Sequence, residues 1–175
     1  MKWILIAAAA LASVVILVMV VGALLPRHHA AAVRARFGRP AAEIYRALLA
    51  VDEFPQWRSG VDRVERVDKP GGEPAWVEHG GFGPIPFVVV SSAAPNRLVT
   101  RIDSDELPFG GTWTYVVEAA PDGSTLTITE DGDIGNVLFR FMSKFVFGHH
   151  RTMETYLDDL GRKFGQQVSL ERIAG

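Results

Sequence analysis

The chain contains no cysteine, which excludes disulfides, thiolate metal sites and cysteine nucleophiles. It also lacks a basic surplus: 18 Lys and Arg stand against 20 Asp and Glu, for a formal charge of -2. The basic residues form no concentrated patch, so no nucleic-acid partner is expected. No glycine loop for phosphate is present, because Gly81-Phe82-Gly83 has neither a third glycine nor a helix pattern after it. The Gly-x-Ser-x-Gly turn that exposes a nucleophilic serine does not occur. His28 and His29 have no third ligand near them in sequence, so neither a metal nor another cofactor is expected.

Charge is also missing from residues 3–25, where only Ser13 and Gly22 interrupt an apolar run. As a helix this run spans roughly 34 Å, the thickness of a bilayer's hydrocarbon core. A cleaved secretory signal would have an apolar region of only about 7–15 residues. The run is therefore read as a retained transmembrane anchor with Trp3 at the interface. Lys2 precedes it, and Arg27, Arg34, Arg36 and Arg39 follow it. Positive-inside counting favours a cytoplasmic domain, although Arg34 and Arg36 lie in a strand pattern that weakens the count.

What remains is patterned as one α+β domain. Residues 33–37 alternate, with Val33, Ala35 and Phe37 on one face, and read as a strand. Pro40 suits the start of a helix carrying Ile44, Tyr45, Leu48 and Leu49. Pro55 disfavours helix at Phe54 and ends it. Strand candidates follow at 61–68, 75–79, 87–93, 97–104, 112–119 and 124–131, separated by Pro- and Gly-containing turns. Short links between consecutive strands make an antiparallel meander. Residues 136–164 then read as one long helix, with Leu138, Met142, Phe145, Tyr156 and Leu160 on a single stripe and His149 near its centre. Asp158 and Asp159 fall mostly off that stripe. The division is an anchor over 1–26, a solvated tether over 27–32, a domain over 33–165 and a tail over 166–175.

Several motifs resemble the START-like, or SRPBCC, superfamily and its polyketide-cyclase/dehydrase and lipid-transport branch. They are Arg39-Pro40-Ala41-Ala42-Glu43-Ile44-Tyr45, Phe54-Pro55-Gln56-Trp57-Arg58, Pro95-Asn96-Arg97-Leu98-Val99, Gly111-Thr112-Trp113-Thr114-Tyr115, and the stretch from Asp122 through Glu130. The resemblance implies a helix-grip fold: a curved antiparallel sheet wrapped around the C-terminal helix, with an apolar cavity between them. It brings no universal catalytic residue, so it does not by itself make the chain an enzyme.

The Pro121–Gly123 turn suggests a hairpin in which Val117 opposes Ile128, Tyr115 opposes Glu130 and Trp113 opposes Gly132. That places Tyr115 and Glu130 on the inward face. The expected ligand-binding residues are Trp76, Trp113, Tyr115, Glu130, Phe145, His149 and Tyr156. His150 and Glu154 are read as a surface pair. Phe139, Phe141, Phe145 and Phe147 cover more than one helix stripe, which places the start of the long helix near a membrane or a partner. Three functions stay open. The first is a membrane-anchored binder of a hydrophobic small molecule such as a lipid, isoprenoid or quinone. The second is a cyclase or dehydratase using Glu130, Tyr115 or His149 for proton transfer. The third is a surface-acting module whose core is filled by its own side chains.

Overall fold

A computed structural model describes residues 2–173, and of Phe147 only the backbone. Helix α1 (Lys2–Leu24) is one unbroken apolar helix, long and apolar enough to cross a membrane. Strand β1 (His28–Phe37) follows after three residues. The tether expected over 27–32 is thus mostly strand. The odd-numbered inward series of Val33, Ala35 and Phe37 runs back through Ala31 to His29, and the pairing with β7 runs back with it.

Helix α2 (Ala41–Leu49) starts after Pro40 and buries Ile44, Tyr45, Ala47 and Leu48. A short 3₁₀ turn and α3 (Phe54–Trp57) carry Phe54 into the core. The meander comprises β2 (Val61–Val67), β3 (Ala75–Gly80), β4 (Gly83–Ala93), β5 (Arg97–Ile102), β6 (Gly110–Ala120) and β7 (Gly123–Asp133). Every strand neighbour is antiparallel, in the order β2-β3-β4-β5-β6-β7-β1-β8. β8 (Leu170–Ile173) caps the β1 edge, where Arg34 makes a two-pronged bond to Glu171 at 2.9 Å. Part of the stretch read as a tail is therefore sheet.

The long C-terminal helix is divided. α4 (Val137–Met142) begins at Asn136, whose side chain accepts the Phe139 backbone N–H at 3.1 Å. A π turn (Ser143–Phe147) widens the coil, and Gly148 ends it with φ of 74°. That left-handed conformation is costly for a residue with a Cβ, which is why the break falls on the glycine. α5 (Arg151–Lys163) then crosses the sheet. Of the expected stripe, Tyr156 and Leu160 are buried, together with Met153 and Leu157. Leu138 and Phe145 are exposed, because they precede the break and follow a different axis.

The sheet and α5 enclose a core of Val33, Phe37, Leu98, Val117, Leu126, Ile128, Leu157 and Leu160, closed by α2 and Phe54. Asp159, read as lying off the stripe, is buried within it. It accepts the Ser59 backbone N–H at 2.5 Å and the Ser59 hydroxyl at 2.9 Å, and pairs with Arg162. A buried carboxylate needs such partners, and here they fasten the α3–β2 loop to α5.

Candidate functional site

The inward rows of β1, β6 and β7 meet at the end of the sheet nearest α1. Side chains alternate, so His29 on β1, Gly111, Trp113 and Tyr115 on β6, and Ile128, Glu130 and Gly132 on β7 share the concave face. The register differs from the sequence reading by one pleat repeat: Trp113 opposes Glu130 and Tyr115 opposes Ile128. The tight hairpin pairs Ala120 directly with Gly123 and so closes the ladder one repeat earlier. A slip of an even number of residues keeps every side chain on its face, so Tyr115 and Glu130 still point inward.

Glu130 is the hub. Its carboxylate accepts from the Trp113 indole N–H and from His29 Nε2, each at 3.0 Å. His29 lies opposite Gly132, where a Cβ would collide with the imidazole, so that glycine makes room for the ring. The His29 ring stacks on His149 at 4.0 Å. His149 Nδ1 meets the Ser143 hydroxyl at 3.1 Å. Burial holds the His149 imidazole below its ordinary value, helped by the His29, Lys144 and His150 charges and opposed by Glu130. Because Nε2 of His29 donates to the carboxylate, the neutral ring presents Nδ1 as an acceptor. A carboxylate-backed imidazole can accept a proton or hold a hydroxyl.

A second polar group lies deeper on the same face. Arg58 pairs with Glu78 at 2.6 Å, and the Trp76 indole N–H donates to the same carboxylate at 3.0 Å. The Arg58 guanidinium lies over the Phe54 and Tyr156 rings, 4.7 and 4.8 Å from their centres. Burial works against its charge, but Glu78 outweighs it and raises the guanidinium above its ordinary value. Burial also pushes the Tyr115 and Tyr156 phenols up, so both stay protonated. Between the two polar groups, Trp113, Tyr115 and Tyr156 touch one another at 5.9 to 6.0 Å, and Trp57 meets Tyr156 edge-on at 5.5 Å. The Tyr156 hydroxyl and the Trp57 indole N–H are buried without a hydrogen-bond partner among the described residues.

The structure thus gathers Trp113, Tyr115, Glu130, His149 and Tyr156, with Trp76 joined through Glu78. Phe145 stands apart: it is exposed and packs on Phe141 at 5.0 Å. His29, expected to be solvated, is 13% exposed at its side chain and belongs to the site. Its inward row, His29-Ala31-Val33, is the sequence signal that would have found it. Arg58 and Glu78 left no such signal, since they meet only across the fold. His28 does face solvent, 3.2 Å from Asp133. Glu154 pairs with Arg172 at 2.6 Å, and the expected neighbour His150 adds a weaker attraction to the same carboxylate. Two depressions of about 260 Å³ are present: one adjoins this cluster, lined by His28, His29, Ala30, Gly132 and Asp133, and the other lies away from it, at Lys69, Val90 and Asp103. Between sheet and α5 the aromatic rings pack against one another.

A curved antiparallel sheet gripping a C-terminal helix is a START-like architecture, and solved structures share it. A protein from Rhodobacter sphaeroides matches at a TM-score of 0.56 and 18% identity, covering 78% of this chain and 91% of that one. A START superfamily protein from Mycobacterium smegmatis matches at 0.57 and 14%, covering 79% and 97%. The di-domain ARO/CYC StfQ of the steffimycin biosynthetic pathway matches at 0.55 and 14%, covering 75% of this chain and 48% of its own. At such identities the likeness is one of fold alone. No curated protein matches the chain. The chain belongs to the polyketide cyclase/dehydrase and lipid transport family, whose profile covers residues 28–165.

Proposed function

We propose that this protein is a membrane-anchored binder of a hydrophobic small molecule, a lipid, isoprenoid or quinone, taken up between the sheet and α5. The observation that carries this reading is the pair of buried donors, the Tyr156 hydroxyl and the Trp57 indole N–H, that have no acceptor among the described residues. Leaving a buried donor unsatisfied costs about 1–3 kcal/mol. A ligand carbonyl or hydroxyl between them removes that cost, and the surrounding rings supply apolar contact. Entry requires the Trp57, Trp113 and Tyr156 rings to part. Glu130, with His29 and His149, receives a second polar group at the anchor end. In this reading α1 is the anchor, which concentrates the domain where an insoluble ligand resides. A cytoplasmic domain is the orientation that positive-inside counting supports, with Arg27 just after α1 and Arg140 bonded to the Leu25 carbonyl beside it.

Mass spectrometry of small molecules extracted from the purified full-length protein tests the proposal. A stoichiometric hydrophobic compound is expected, and Tyr156→Phe should reduce its yield. Extracts with no such compound would favour a filled core, a second reading supported by the close ring packing. A third reading, proton-transfer catalysis, is supported by the Glu130–His29 hydrogen bond. Turnover of a bound polyketide-like compound that is abolished in Glu130→Gln, with binding retained, would select it.

A further inference from the structure

The end of the sheet that carries Glu130 is also the end at which α1 arrives. Antiparallel pairing brings the start of β1, the start of β6 and the end of β7 together there. α4 lies at this end, packed along α1, and the π turn continues from it. Gly22 is buried in that contact, and a Cβ on it would strike the Val137 carbonyl oxygen. Val18 and Val21, the other partly covered residues of this part of α1, flank it, with the partly covered Leu25 just after the helix. Close backbone approach at a small residue is how helices pack inside membranes. Further bonds clamp the junction: Arg140 donates to the Leu25 carbonyl at 2.9 Å, and the Ile134 N–H donates to the Arg27 carbonyl at 2.9 Å. With only residues 25–27 between helix and sheet, α4 cannot sit far from the bilayer that α1 would span.

Val18 lies six residues before Leu24, so the contact reaches roughly 9 Å back along α1. An interfacial helix sits at about that depth, roughly 5–10 Å into the headgroup and acyl boundary. The composition agrees. Leu138, Phe145 and Val146 are exposed, while Phe139 packs on Phe109 at 5.9 Å. Residues 134–153 contain Arg140, Lys144 and Arg151 but no acidic residue. Apolar side chains interspersed only with basic ones match a lipid surface with anionic headgroups, and the carboxylates that bound the stretch, Asp133 and Glu154, are paired with Arg27 and Arg172. The β5–β6 loop, with exposed Asp105 and Glu106, is unsuited to the same surface and marks the edge of the contact.

We propose that α4 and the π turn form a second membrane contact, seated in the leaflet where α1 ends, which holds the domain in one orientation with the Glu130 cluster facing the bilayer. This rests on the reading of α1 as a membrane anchor. The absence of cysteine gives a clean test in the full-length protein. Ser13→Cys, Val146→Cys and Asp122→Cys each receive an environment-sensitive fluorophore, and each protein is reconstituted in phosphatidylcholine vesicles with phosphatidylglycerol and nitroxide-labelled lipid. The expected result is strong quenching at 13, blue-shifted emission with several-fold greater quenching at 146 than at 122, and a larger effect at 146 when phosphatidylglycerol is present. Quenching at 13 with a water-like signal at 146 would overturn the second contact and leave the anchor standing. Equal quenching at 146 and 122 would overturn the fixed orientation. A water-like signal at 13 would remove the anchor, and this proposal with it.

Discussion

Within the site, the residue that organises most with least material is Gly132. It leaves the space that the His29 ring occupies, and that ring brings His149 into line. His149 is therefore held by a neighbour whose charge resists its own. Burial, first, and His29, second, disfavour its protonated form, while Glu130 only partly compensates. The unfolded chain takes up this proton near the ordinary value of 6.5, and the folded chain does so only at lower pH. Below that value the unfolded state binds more protons, so stability falls as pH falls until the folded histidine also titrates. Urea unfolding between about pH 7 and pH 5 should show this loss, and His149→Gln should flatten it. An identical slope in the variant would mean that other groups carry the effect.

At the scale of elements, strands were legible and the long helix was not. Alternation and turn residues placed six meander strands within a few residues of their ends, because those signals are local. Periodicity over residues 136–164 was also present, but a period does not report a break that keeps roughly the same phase. Gly148, the residue that permits the break, looked like any other glycine. The same limit hid Asp159. On a straight helix it falls off the stripe, yet the α3–β2 loop closes over it and supplies the Ser59 donors. Tyr115, Trp113 and Glu130 could be placed on the inward face because a hairpin's parity survives a register slip of two residues. Arg58 and Glu78 were not, since no pattern along the chain joins a loop arginine to a strand glutamate. Asp159→Ala should lower stability by about 3 kcal/mol, by stripping buried donors of their acceptor. The more exposed neighbouring change Asp158→Ala should cost far less. Equal losses in chemical denaturation would mean that the loop is held by other contacts.

For the whole molecule, the question is whether α1 belongs to the fold or only holds it in place. No residue of α1 belongs to the core cluster, whose first member is Ala31. β1 begins at His28, and the Ile134–Arg27 backbone bond needs nothing earlier than Arg27. A chain starting at Arg27 keeps the entire sheet and loses the Arg140–Leu25 bond and the packing at Gly22. Those losses uncover one side of α4, which is already apolar on its free side. The shortened protein should therefore fold with the circular dichroism and aromatic fluorescence of the full domain. It should also self-associate at high concentration and become monomeric in mild detergent, because the exposed surface is local and hydrophobic. Size-exclusion chromatography with and without detergent reads this directly. A chain that fails to fold even in detergent would make α1 a structural element of the domain. A chain monomeric without detergent would mean that α4 can cover its apolar side alone. Folding with detergent-reversible association is the outcome expected of a self-sufficient domain whose remaining apolar face is built for a membrane.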